Sequence, residues 1–379
     1  MTNTFESLGL APVLLRALNA VGYQEPTPIQ TQAIPHVLAG RDVQGIAQTG
    51  TGKTAAFALP ILQRLLADRK RAPARGCRVL VLSPTRELAS QIAESFVAYA
   101  RGTGIRTAVM FGGVPKGRQA RAVAGGVDVL VACPGRLLDH MGDGAVRLDA
   151  VEVLVLDEAD HMLDLGFIIP IRRIVSHVPS QRQTLFFSAT MPPEISKLAA
   201  AMLRDPAHVA VAPVATTVEK VEQRVMFVDA ARKRQVLADL LRDPDMSRTL
   251  VFTRTKHGAD RVVEHLERAG QAAAAIHGNK SQGQRERALA AFKSGHVRVL
   301  VATDIAARGI DVDGVSHVVN FDLPNVPESY VHRIGRTARA GRAGVAISLC
   351  DQSERPYLRG IEKLIRTRLP VEQPSRLAA

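Results

Sequence analysis

Short apolar runs alternate with longer amphipathic stretches along the whole chain of 379 residues. Most of these runs are continuous, as in "RVLVLS" at 78–83 and "VRVLVAT" at 297–303, which predicts strands buried on both faces. The stretches between them, such as "ELASQIAESFVAYARG" at 87–102, have the apolar spacing that is typical of helices. The alternation predicts an α/β fold with mostly parallel sheets covered by helices on both faces.

The pattern occurs twice along the chain, which predicts two tandem domains with a cleft between them where a ligand can bind. The predicted strands of the first half are DVQGIAQ, RVLVLS, TAVMFG, DVLVAC, VLVLD and TLFFSA; those of the second half are QRVMFV, TLVFT, AAAIHG, VRVLVAT, HVVNF and GVAISLC. Pro206 and Pro213 interrupt the segment between the halves. The predicted parts are a first domain at 1–211, a linker at 212–218, a second domain at 219–370 and a flexible tail at 371–379.

The formal net charge is +13, and both halves of the chain are basic. A basic balance favours a polyanionic partner without requiring one. Tryptophan is absent and aromatic residues make up only 4% of the chain, which argues against a binding surface of stacked bases. If nucleic acid binds here, we expect its phosphates and sugars to make most of the contacts.

Features that would direct the chain to a membrane or out of the cell are not found in the sequence. No apolar stretch reaches the length of about 18 residues that a membrane span requires. The first residues lack a basic leader and a small-residue cleavage site. Cys77, Cys133 and Cys350 are far apart, which fits buried thiols in a reducing cytosol better than disulfides or a zinc site. We therefore expect a cytoplasmic protein.

The segment "AQTGTGKT" at 47–54 follows an apolar strand and precedes an apolar helix. Its glycines allow a tight turn that aims N–H groups at phosphate oxygens, and the helix N-terminus adds its positive dipole end. Lys53 would reach the β- and γ-phosphates, and the Thr54 hydroxyl would ligate Mg²⁺. Ala47 replaces the usual first glycine, and a turn without chemistry is the alternative. The predicted phosphate-loop residues are Gln48, Thr49, Gly50, Thr51, Gly52, Lys53 and Thr54.

Acidic residues follow the apolar run "VLVL" at 153–156 directly. Carboxylates so close together repel one another and need a positive partner. Phosphate-loop NTPases use a carboxylate at the end of a neighbouring strand to hold Mg²⁺, and Asp157 fits that role. Glu158 is placed to orient or deprotonate an attacking water. The pair therefore predicts hydrolysis of a nucleoside triphosphate; a solvated strand end is the alternative.

With "DEAD" at 157–160 and the phosphate loop before it, the chain resembles the DEAD-box RNA helicases, and most of all the bacterial RhlE type. The resemblance extends over nearly the whole chain and implies two RecA-like domains. It implies that "GYQEPTPIQ" at 22–30 binds adenine, which makes ATP the expected nucleotide. In this motif Gln30 would hydrogen-bond to the adenine edge with help from Thr27. Phe5 would stack on the base, and Tyr23 belongs to the same predicted site.

Further motifs of the first half resemble the family's RNA contacts. "PTREL" at 84–88, "GG" at 112–113 and "PGR" at 134–136 each follow a strand, where N–H groups and arginines meet phosphates. The implied RNA-binding residues are Pro84, Thr85, Arg86, Gly113, Pro134, Gly135 and Arg136. Cys133 stands where the family commonly has threonine, which puts a hydroxyl contact in doubt. Ser188 and Thr190 of "SAT" are implied to hydrogen-bond to Asp160 and to link hydrolysis to strand separation.

The second half carries the later motifs "VFTRT" at 251–255, "QRER" at 284–287, "ATDIAARGID" at 302–311 and "HRIGRTAR" at 332–339. The resemblance implies RNA contacts from Arg254, Arg287 and Thr303. It implies nucleotide contacts from Gly309 and Asp311, and a salt bridge from Arg308 to the acidic motif. His332, Arg336 and Arg339 are the implied catalytic residues, the two arginines contacting the γ-phosphate from the second domain. Ala338 replaces the family's usual glycine.

These motifs favour the hypothesis that the protein is an ATP- and Mg²⁺-dependent RNA helicase that unwinds short duplexes locally. We expect it to be monomeric. Ribosomal precursors or RNA-decay machinery are expected partners. A DNA-translocating helicase of the same superfamily would commonly carry large insertions and base-wedging aromatics. An ATP-gated RNA clamp would keep the same binding residues. A small-molecule ATPase would leave the predicted RNA motifs without a role.

Overall fold

The computed structural model describes residues 4–48, 50–211, 221–307, 312, 314–338 and 344–372. The chain divides into two compact units, Met1–Ala212 and Pro213–Ala379, and each is described by itself. The predicted linker at 212–218 lies outside the described residues. Among the described residues, none of the helices combines the length and apolar character that crossing a membrane requires.

The first unit is built on a parallel seven-stranded sheet with strand order β3-β4-β2-β5-β6-β1-β7. Its strands are β1 (Val43–Ile46), β2 (Cys77–Leu82), β3 (Thr107–Met110), β4 (Val127–Ala132), β5 (Val153–Leu156), β6 (Gln183–Ser188) and β7 (Ala207–Ala210). Its described α-helices are α1 (Pro12–Ala20), α2 (Pro28–Leu38), α3 (Lys53–Ala67), α4 (Arg86–Tyr99), α5 (Lys116–Val123), α6 (Pro134–Gly142), α7 (Ala159–Asp164), α8 (Ile168–Val175) and α9 (Pro193–Met202). A 3₁₀ turn at Glu6–Leu8 precedes them.

Strand β7 was not predicted, so the expectation of six strands in this half was wrong. It pairs in parallel with β1 at the edge of the sheet, Ala207 opposite Val43. Ala207 and Val209 are buried, whereas His208 and Ala210 are exposed. An edge strand with one exposed face lacks the continuous apolar run that marked the other strands, and the prolines on either side suggested a boundary.

The second unit has a parallel six-stranded sheet with strand order β10-β11-β9-β12-β13-β8. Its strands are β8 (Val221–Phe227), β9 (Thr249–Phe252), β10 (Ala273–Ile276), β11 (Val299–Ala302), β12 (His317–Asn320) and β13 (Gly344–Cys350). Its described α-helices are α10 (Lys233–Leu240), α11 (Lys256–Arg268), α12 (Gln282–Ser294), α13 (Asp304–Ala307), α14 (Pro327–Ile334) and α15 (Arg355–Ile365), with a 3₁₀ turn at Gln352–Glu354.

The chain remains ordered slightly beyond the predicted start of the tail at 371. Val371 forms a β-bridge with Val225, and the Glu372 N–H donates to the Val225 carbonyl at 2.9 Å. The edge of β8 therefore offers backbone partners to the first two residues of the predicted tail. Residues 373–379 lie outside the described residues.

Alternate residues of the strands enter separate cores on the two faces of each sheet. In the first unit Val79 and Val81 face one hydrophobic cluster, and Leu80 and Leu82 face the other. This is why β2 reads as a continuous apolar run. All strands of a parallel sheet end at the same edge, and loops at that carboxyl edge are where α/β proteins bind ligands.

Candidate nucleotide and RNA sites

The phosphate loop leaves β1 at the carboxyl edge and opens helix α3 at Lys53. Gly52, the N-cap of that helix, has φ of 93°, a backbone conformation that glycine adopts without strain. The Lys53 ammonium is buried and donates to the Ala47 carbonyl at 2.8 Å. The Thr51 hydroxyl donates to the Gln48 carbonyl at 2.7 Å. The loop is therefore held by internal hydrogen bonds around a helix N-terminus, which favours anion binding.

Thr54, predicted to bind Mg²⁺, is half-buried in the first turn of α3, beside Lys53. Gly50 has φ of 83° and is exposed. Thr49, another predicted phosphate-loop residue, lies outside the described residues. The structure therefore places Lys53 and Thr54 together in the first turn of α3, and Gln48 lies on the loop before it, bonded to Thr51.

The Gln30 side chain packs directly on the phosphate loop. Its amide oxygen accepts from the Thr27 N–H at 2.9 Å at the start of α2, and its amide nitrogen donates to the Gly52 carbonyl at 3.1 Å. A Cβ atom at Gly52 would overlap the Gln30 amide and lie 2.9 Å from the Thr27 hydroxyl. Each half of the amide makes one hydrogen bond here and keeps a second N–H donor and a second oxygen lone pair, so a contact with adenine is compatible with the bond to the loop.

Phe5 is only 3% exposed in this structure. The Tyr23 ring stacks on it at a centroid distance of 6.4 Å and an angle of 18°, and the Tyr23 hydroxyl lies 3.2 Å from that of Tyr99. The prediction that Phe5 offers an open ring face to adenine is therefore not what the structure shows. Tyr23, which remains 37% exposed, is the more accessible ring of this pair.

Asp157 lies immediately after β5, with its N–H donating to the Leu82 carbonyl at 3.0 Å. Its side-chain oxygen Oδ1 accepts from the Glu158 N–H at 3.0 Å. Burial raises the pKa of the Asp157 carboxyl to about 6; the Lys53 charge opposes this rise, and Glu158 and Asp160 add to it. A carboxylate in such surroundings gains most from a nearby cation.

The donor set around Asp157 fits Mg²⁺ bound together with nucleotide phosphates. Among the described residues, no group of three or more His, Cys, Asp or Glu side chains could hold a metal without other ligands. Mg²⁺ commonly takes one or two protein ligands and completes its octahedron with water and phosphate oxygens. Asp157 and the Thr54 hydroxyl supply the oxygen ligands that this mode needs.

Glu158 is buried and has φ of 52°, in the left-handed region that non-glycine residues seldom adopt. Holding a residue in such a conformation costs about 1–3 kcal/mol and is typical of functional sites. His161, one turn along α7, brings Nδ1 to 3.4 Å from Glu158 Oε2. Its Nε2 is buried without a hydrogen-bond partner among the described residues. Sequence reasoning missed His161, although its position three residues after Glu158 at the start of a helix could have indicated this contact.

Asp160 joins α7 to the end of β6 through three hydrogen bonds, and a fourth bond connects Ser188 to Thr190. The Asp160 N–H donates to the Ser188 hydroxyl at 3.1 Å, and Ser188 donates to the Thr190 carbonyl at 2.7 Å. The Thr190 N–H and hydroxyl both donate to Asp160 Oδ2 at 2.8 Å. The three residues expected to couple hydrolysis to strand separation therefore form one connected network; their coupling role remains a prediction.

The predicted RNA loops at "PTREL" and "GG" contact each other. Thr85 caps α4 by accepting from the Leu88 N–H at 3.3 Å. The Arg86 guanidinium lies against Gly112 and Gly113 so closely that a Cβ atom at Gly113 would overlap it. Gly113 also has φ of 79°, which favours glycine independently of the space. Arg86 and this glycine pair thus share one surface at the carboxyl edge.

Arg136 of "PGR", predicted to contact RNA, has a side chain that is only 11% exposed. Its Nη1 donates to the Val114 carbonyl at 2.9 Å and to Gln119 Oε1 at 3.1 Å. Arg136 therefore ties α6 to the loop after "GG" instead of offering its charge to solvent. Pro134 is buried and Gly135 is exposed at the start of α6. A helix N-terminus is a position at which backbone N–H groups can bind an anion.

Arg254 of the second unit is partly exposed and belongs to a cluster of charges at the ends of β9 and β13. Its Nη2 donates to Glu354 Oε1 at 2.7 Å, and its N–H donates to Asp322 Oδ2 at 2.8 Å. Lys233, fully buried, donates to Glu354 Oε2 at 2.5 Å and lies 3.2 Å from Asp351. Glu354 and Lys233 were not predicted; they hold Arg254 in place.

Arg333 is a further residue that sequence reasoning missed. It is 2% exposed and forms a two-pronged ion pair with Asp304 at 2.6 and 2.8 Å. Its Nη1 donates to Asn320 Oδ1 at 3.1 Å and to the Asp322 carbonyl at 2.6 Å. The spacing of "HRIGRTAR" could not reveal which arginine turns inward; its place in α14, over Phe252, decides this.

Arg336 and His332 line a small cavity with Arg333 and Asp304, and Arg336 Nε donates to the His332 carbonyl at 3.2 Å. Ala338 has φ of 54°, which explains why glycine would suit this position better. Arg287 is exposed on α12, and the Thr303 carbonyl accepts from two N–H groups of α13. The predicted residues Arg308, Gly309, Asp311 and Arg339 lie outside the described residues.

Comparison with protein families finds two matches in order along the chain. The family described as DEAD/DEAH box helicase matches residues 27–198, and the Helicase conserved C-terminal domain matches residues 232–341. Together they cover the phosphate loop, the acidic motif and the arginine motif up to Arg339.

Two curated relatives are similar over nearly the whole chain. The DEAD-box ATP-dependent RNA helicase CshA of Bacillus subtilis is 44% identical over 369 residues, which are 97% of this chain and 74% of that protein. CshA of Limosilactobacillus reuteri is 44% identical over 374 residues, 98% of this chain and 74% of that protein. Because both relatives are CshA proteins, the finer resemblance to the RhlE type remains a prediction.

Solved structures give the same result for the fold. S. cerevisiae Dbp5 bound to RNA and ADP BeF3 matches with a TM-score of 0.87 and 32% identity, covering 99% of this chain and 97% of that chain. A DEAD box protein from Methanococcus jannaschii matches with a TM-score of 0.55 and 36% identity, covering 97% of this chain and 99% of that chain. The predicted fold of two tandem RecA-like domains is confirmed.

Proposed function

The chain belongs to the DEAD-box family of ATP-dependent RNA helicases, and from this premise we propose how its residues divide the work. The protein hydrolyses ATP in an RNA-dependent manner and unwinds RNA duplexes locally. The observation that supports the division best is the arrangement at the carboxyl edge of the first sheet. There a buried lysine, a buried carboxylate of raised pKa and a strained glutamate lie on neighbouring loops.

We propose that the phosphate loop binds the triphosphate, with Lys53 leaving the Ala47 carbonyl to contact the β- and γ-phosphates. Thr54 and Asp157 would hold Mg²⁺, which supplies charge neutralisation for the phosphates. Gln30 would bind the adenine edge through its remaining N–H and oxygen lone pair while its bond to the Gly52 carbonyl joins the base site to the loop. Tyr23 lies beside this site with an accessible ring.

Glu158 is proposed as the general base that orients and deprotonates the attacking water. Its backbone has a left-handed conformation at the start of α7, and His161 Nδ1 lies 3.4 Å from Oε2. A positioned base contributes about 10²- to 10⁴-fold to a rate. The proton of the water would pass to the Glu158 carboxylate as the oxygen attacks the γ-phosphorus.

Arg336 and Arg339 of the second unit are proposed to neutralise the charge that develops on the γ-phosphate as its bond to ADP breaks. His332 and Arg308 would support them. Gly309 and Asp311 are proposed to contact the nucleotide. Arginine residues in this role are worth about 10³- to 10⁵-fold in rate. Because these residues belong to the other unit, hydrolysis would require both units to engage the same nucleotide.

RNA is proposed to bind at the carboxyl edges through backbone contacts. Arg86, Gly113 and the N–H groups of Gly135 and Arg136, in the turn that Pro134 opens, would hold it on the first unit, and Arg254, Arg287 and Thr303 on the second. Contacts to phosphates alone predict weak sequence preference and strong salt dependence. By linkage, RNA and ATP should tighten each other's binding. Asp160, Ser188 and Thr190 would transmit the nucleotide state to the RNA surface.

The experiment is steady-state ATPase activity with and without single-stranded RNA. We expect strong stimulation by RNA, abolished in Lys53→Ala, and weaker stimulation by DNA of the same sequence. A matched control is Lys197→Ala, which removes an exposed lysine of α9 in the same unit. Equal activity with and without RNA would contradict the proposal. Cytoplasmic location, monomeric state, and ribosomal precursors or RNA-decay machinery as partners remain predictions.

A further inference from the structure

A basic pocket of about 430 Å³ lies on the first unit away from the motifs described above. It is formed by the end of α3, the loop that follows it, and the segments that lead into β3 and β4. Its charged lining residues are Arg69, Lys70, Arg71, Arg78, Arg106 and Asp128. Five cations face one carboxylate in this lining.

The pocket is at the amino-terminal edge of the sheet. Arg106 directly precedes β3, Arg78 is the second residue of β2, and Gly125 precedes β4. The phosphate loop and the predicted RNA loops follow the strands at the opposite edge. A six-residue strand such as β2 spans roughly 20 Å. The pocket is therefore distinct from the RNA surface at the carboxyl edge.

The cations of the pocket fall into two groups. Arg78 is buried and paired with Glu152 at 2.8 Å, and Lys70 pairs with Asp68 at 2.7 Å. Arg69, Arg71 and Arg106 are exposed, and none of them forms an ion pair with another described residue. Three guanidinium groups thus line one concavity without an ion pair, and the carboxylate of Asp128 accepts from the backbone N–H of Arg106 at 2.8 Å instead.

We propose that this pocket is a second RNA-backbone site, which binds phosphodiesters beyond the segment held at the carboxyl edge; the inference rests on the RNA binding proposed above. Guanidinium groups bind phosphate oxygens in a two-pronged geometry that lysine cannot reproduce. The lining has no aromatic residue on which a base could stack. The site would therefore recognise the charge and spacing of the phosphates and not the base sequence. A structured or long RNA would extend along the surface of the first unit from the carboxyl edge of the sheet to this pocket.

The test compares short and long oligouridylates, the short one able to cover only the carboxyl-edge loops. In the triple variant Arg69→Gln/Arg71→Gln/Arg106→Gln, affinity for the long RNA should fall about tenfold, and its salt dependence should flatten by about 2 in log–log slope, since each lost phosphate contact on a single strand contributes about 0.7. Affinity for the short RNA and ATPase stimulated by it should stay unchanged.

The matched control is Arg16→Gln/Arg172→Gln/Arg173→Gln, which removes the same charge from exposed positions of α1 and α8. If the control lowers long-RNA affinity as much as the pocket variant does, or if polyglutamate competes at the pocket as well as RNA, the inference is wrong. Urea unfolding midpoints confirm that both variants fold. Failure of the proposed function would appear differently, as no stimulation of the unmodified protein by short RNA.

Discussion

The functional charges of the first unit are held mainly by backbone groups, whereas those of the second unit are held by ionic partners. Lys53 donates to the Ala47 carbonyl, and Asp157 accepts from the Glu158 N–H. In the second unit Arg333 pairs with Asp304, and Arg254 pairs with Glu354. Removing a side chain that is held by backbone groups should lower activity and have little effect on the free energy of unfolding. Removing one partner of a buried ion pair leaves an uncompensated charge, so it costs stability as well.

The largest expected effect is in the first unit. Glu158→Gln should lower kcat of the RNA-stimulated ATPase by about 10²- to 10⁴-fold, because the amide cannot accept the proton of the attacking water. Nucleotide affinity and the unfolding midpoint should remain near those of the unmodified protein. Steady-state kinetics and nucleotide titration measure the two parts separately.

The control for this change is Glu194→Gln, an exposed carboxylate in the first turn of α9. It should leave kcat unchanged. A Glu158→Gln protein that turns over at the normal rate would remove Glu158 from the mechanism. Survival of RNA remodelling without turnover would favour an RNA clamp.

Arg333→Met tests the second half of the comparison. It leaves Asp304 without its buried partner, so the unfolding free energy of the second unit should fall by about 3–5 kcal/mol. Urea unfolding at neutral pH measures the change. Arg359→Met, which removes an exposed arginine of α15, should stay within about 0.5 kcal/mol. Equal effects of the two substitutions would mean that the Asp304–Arg333 pair is not what organises this region.

The Asp157 carboxyl links the first site to pH. Its pKa is raised to about 6 by burial, so it becomes protonated, and unable to bind a cation, as the pH falls through that value. Affinity for the Mg²⁺ complex of a nucleotide should therefore drop about fourfold at half a unit below the pKa, since metal ligands must be deprotonated. Titration at pH 7.5 and 5.5 measures it. Nucleotide binding in EDTA is the control, and an equal drop there would point to another group.

Ala338→Gly is the smallest of these changes and should be stabilising. Alanine at φ of 54° is strained, and relief of that strain should raise the unfolding free energy of the second unit by about 0.5–1 kcal/mol. Ala290→Gly, at an exposed position inside α12, should instead lower it by about 0.5–1 kcal/mol. Opposite signs in thermal or urea unfolding are the expected result; the same sign in both would show that position 338 is not strained.

Most of the fold could be predicted because strands buried on both faces leave continuous apolar runs. The exception was β7, whose alternating Ala207–Ala210 is an edge strand with one exposed face. The predicted motifs follow strands, and parallel strands end at one edge of the sheet. The sequence could therefore predict that these motifs lie at the same edge. Burial explains the main differences in the site. The sequence shows that Phe5, Arg136 and Arg333 occur, but not that neighbouring groups cover them.

Partner residues were hidden for a related reason. Lys233 and Glu354 belong to no motif, and only the fold brings Glu354 to Arg254 and Lys233 to Glu354. Conversely, the contacts of Asp160 with Ser188 and Thr190 join positions about 30 residues apart, and the resemblance pointed to them before the structure did. A motif therefore predicts the functional residues more reliably than it predicts the residues that position them.

The central claim is that hydrolysis needs the arginines of the second unit as well as the phosphate loop of the first. The most direct measurement is the RNA-stimulated kcat of Arg336→Ala, with nucleotide affinity and the unfolding midpoint measured on the same sample. We expect a fall of about 10³-fold or more with nucleotide affinity changed only a few-fold, and no recovery in Arg336→Lys, which keeps the charge but loses the guanidinium. A normal kcat in folded Arg336→Ala protein would contradict it.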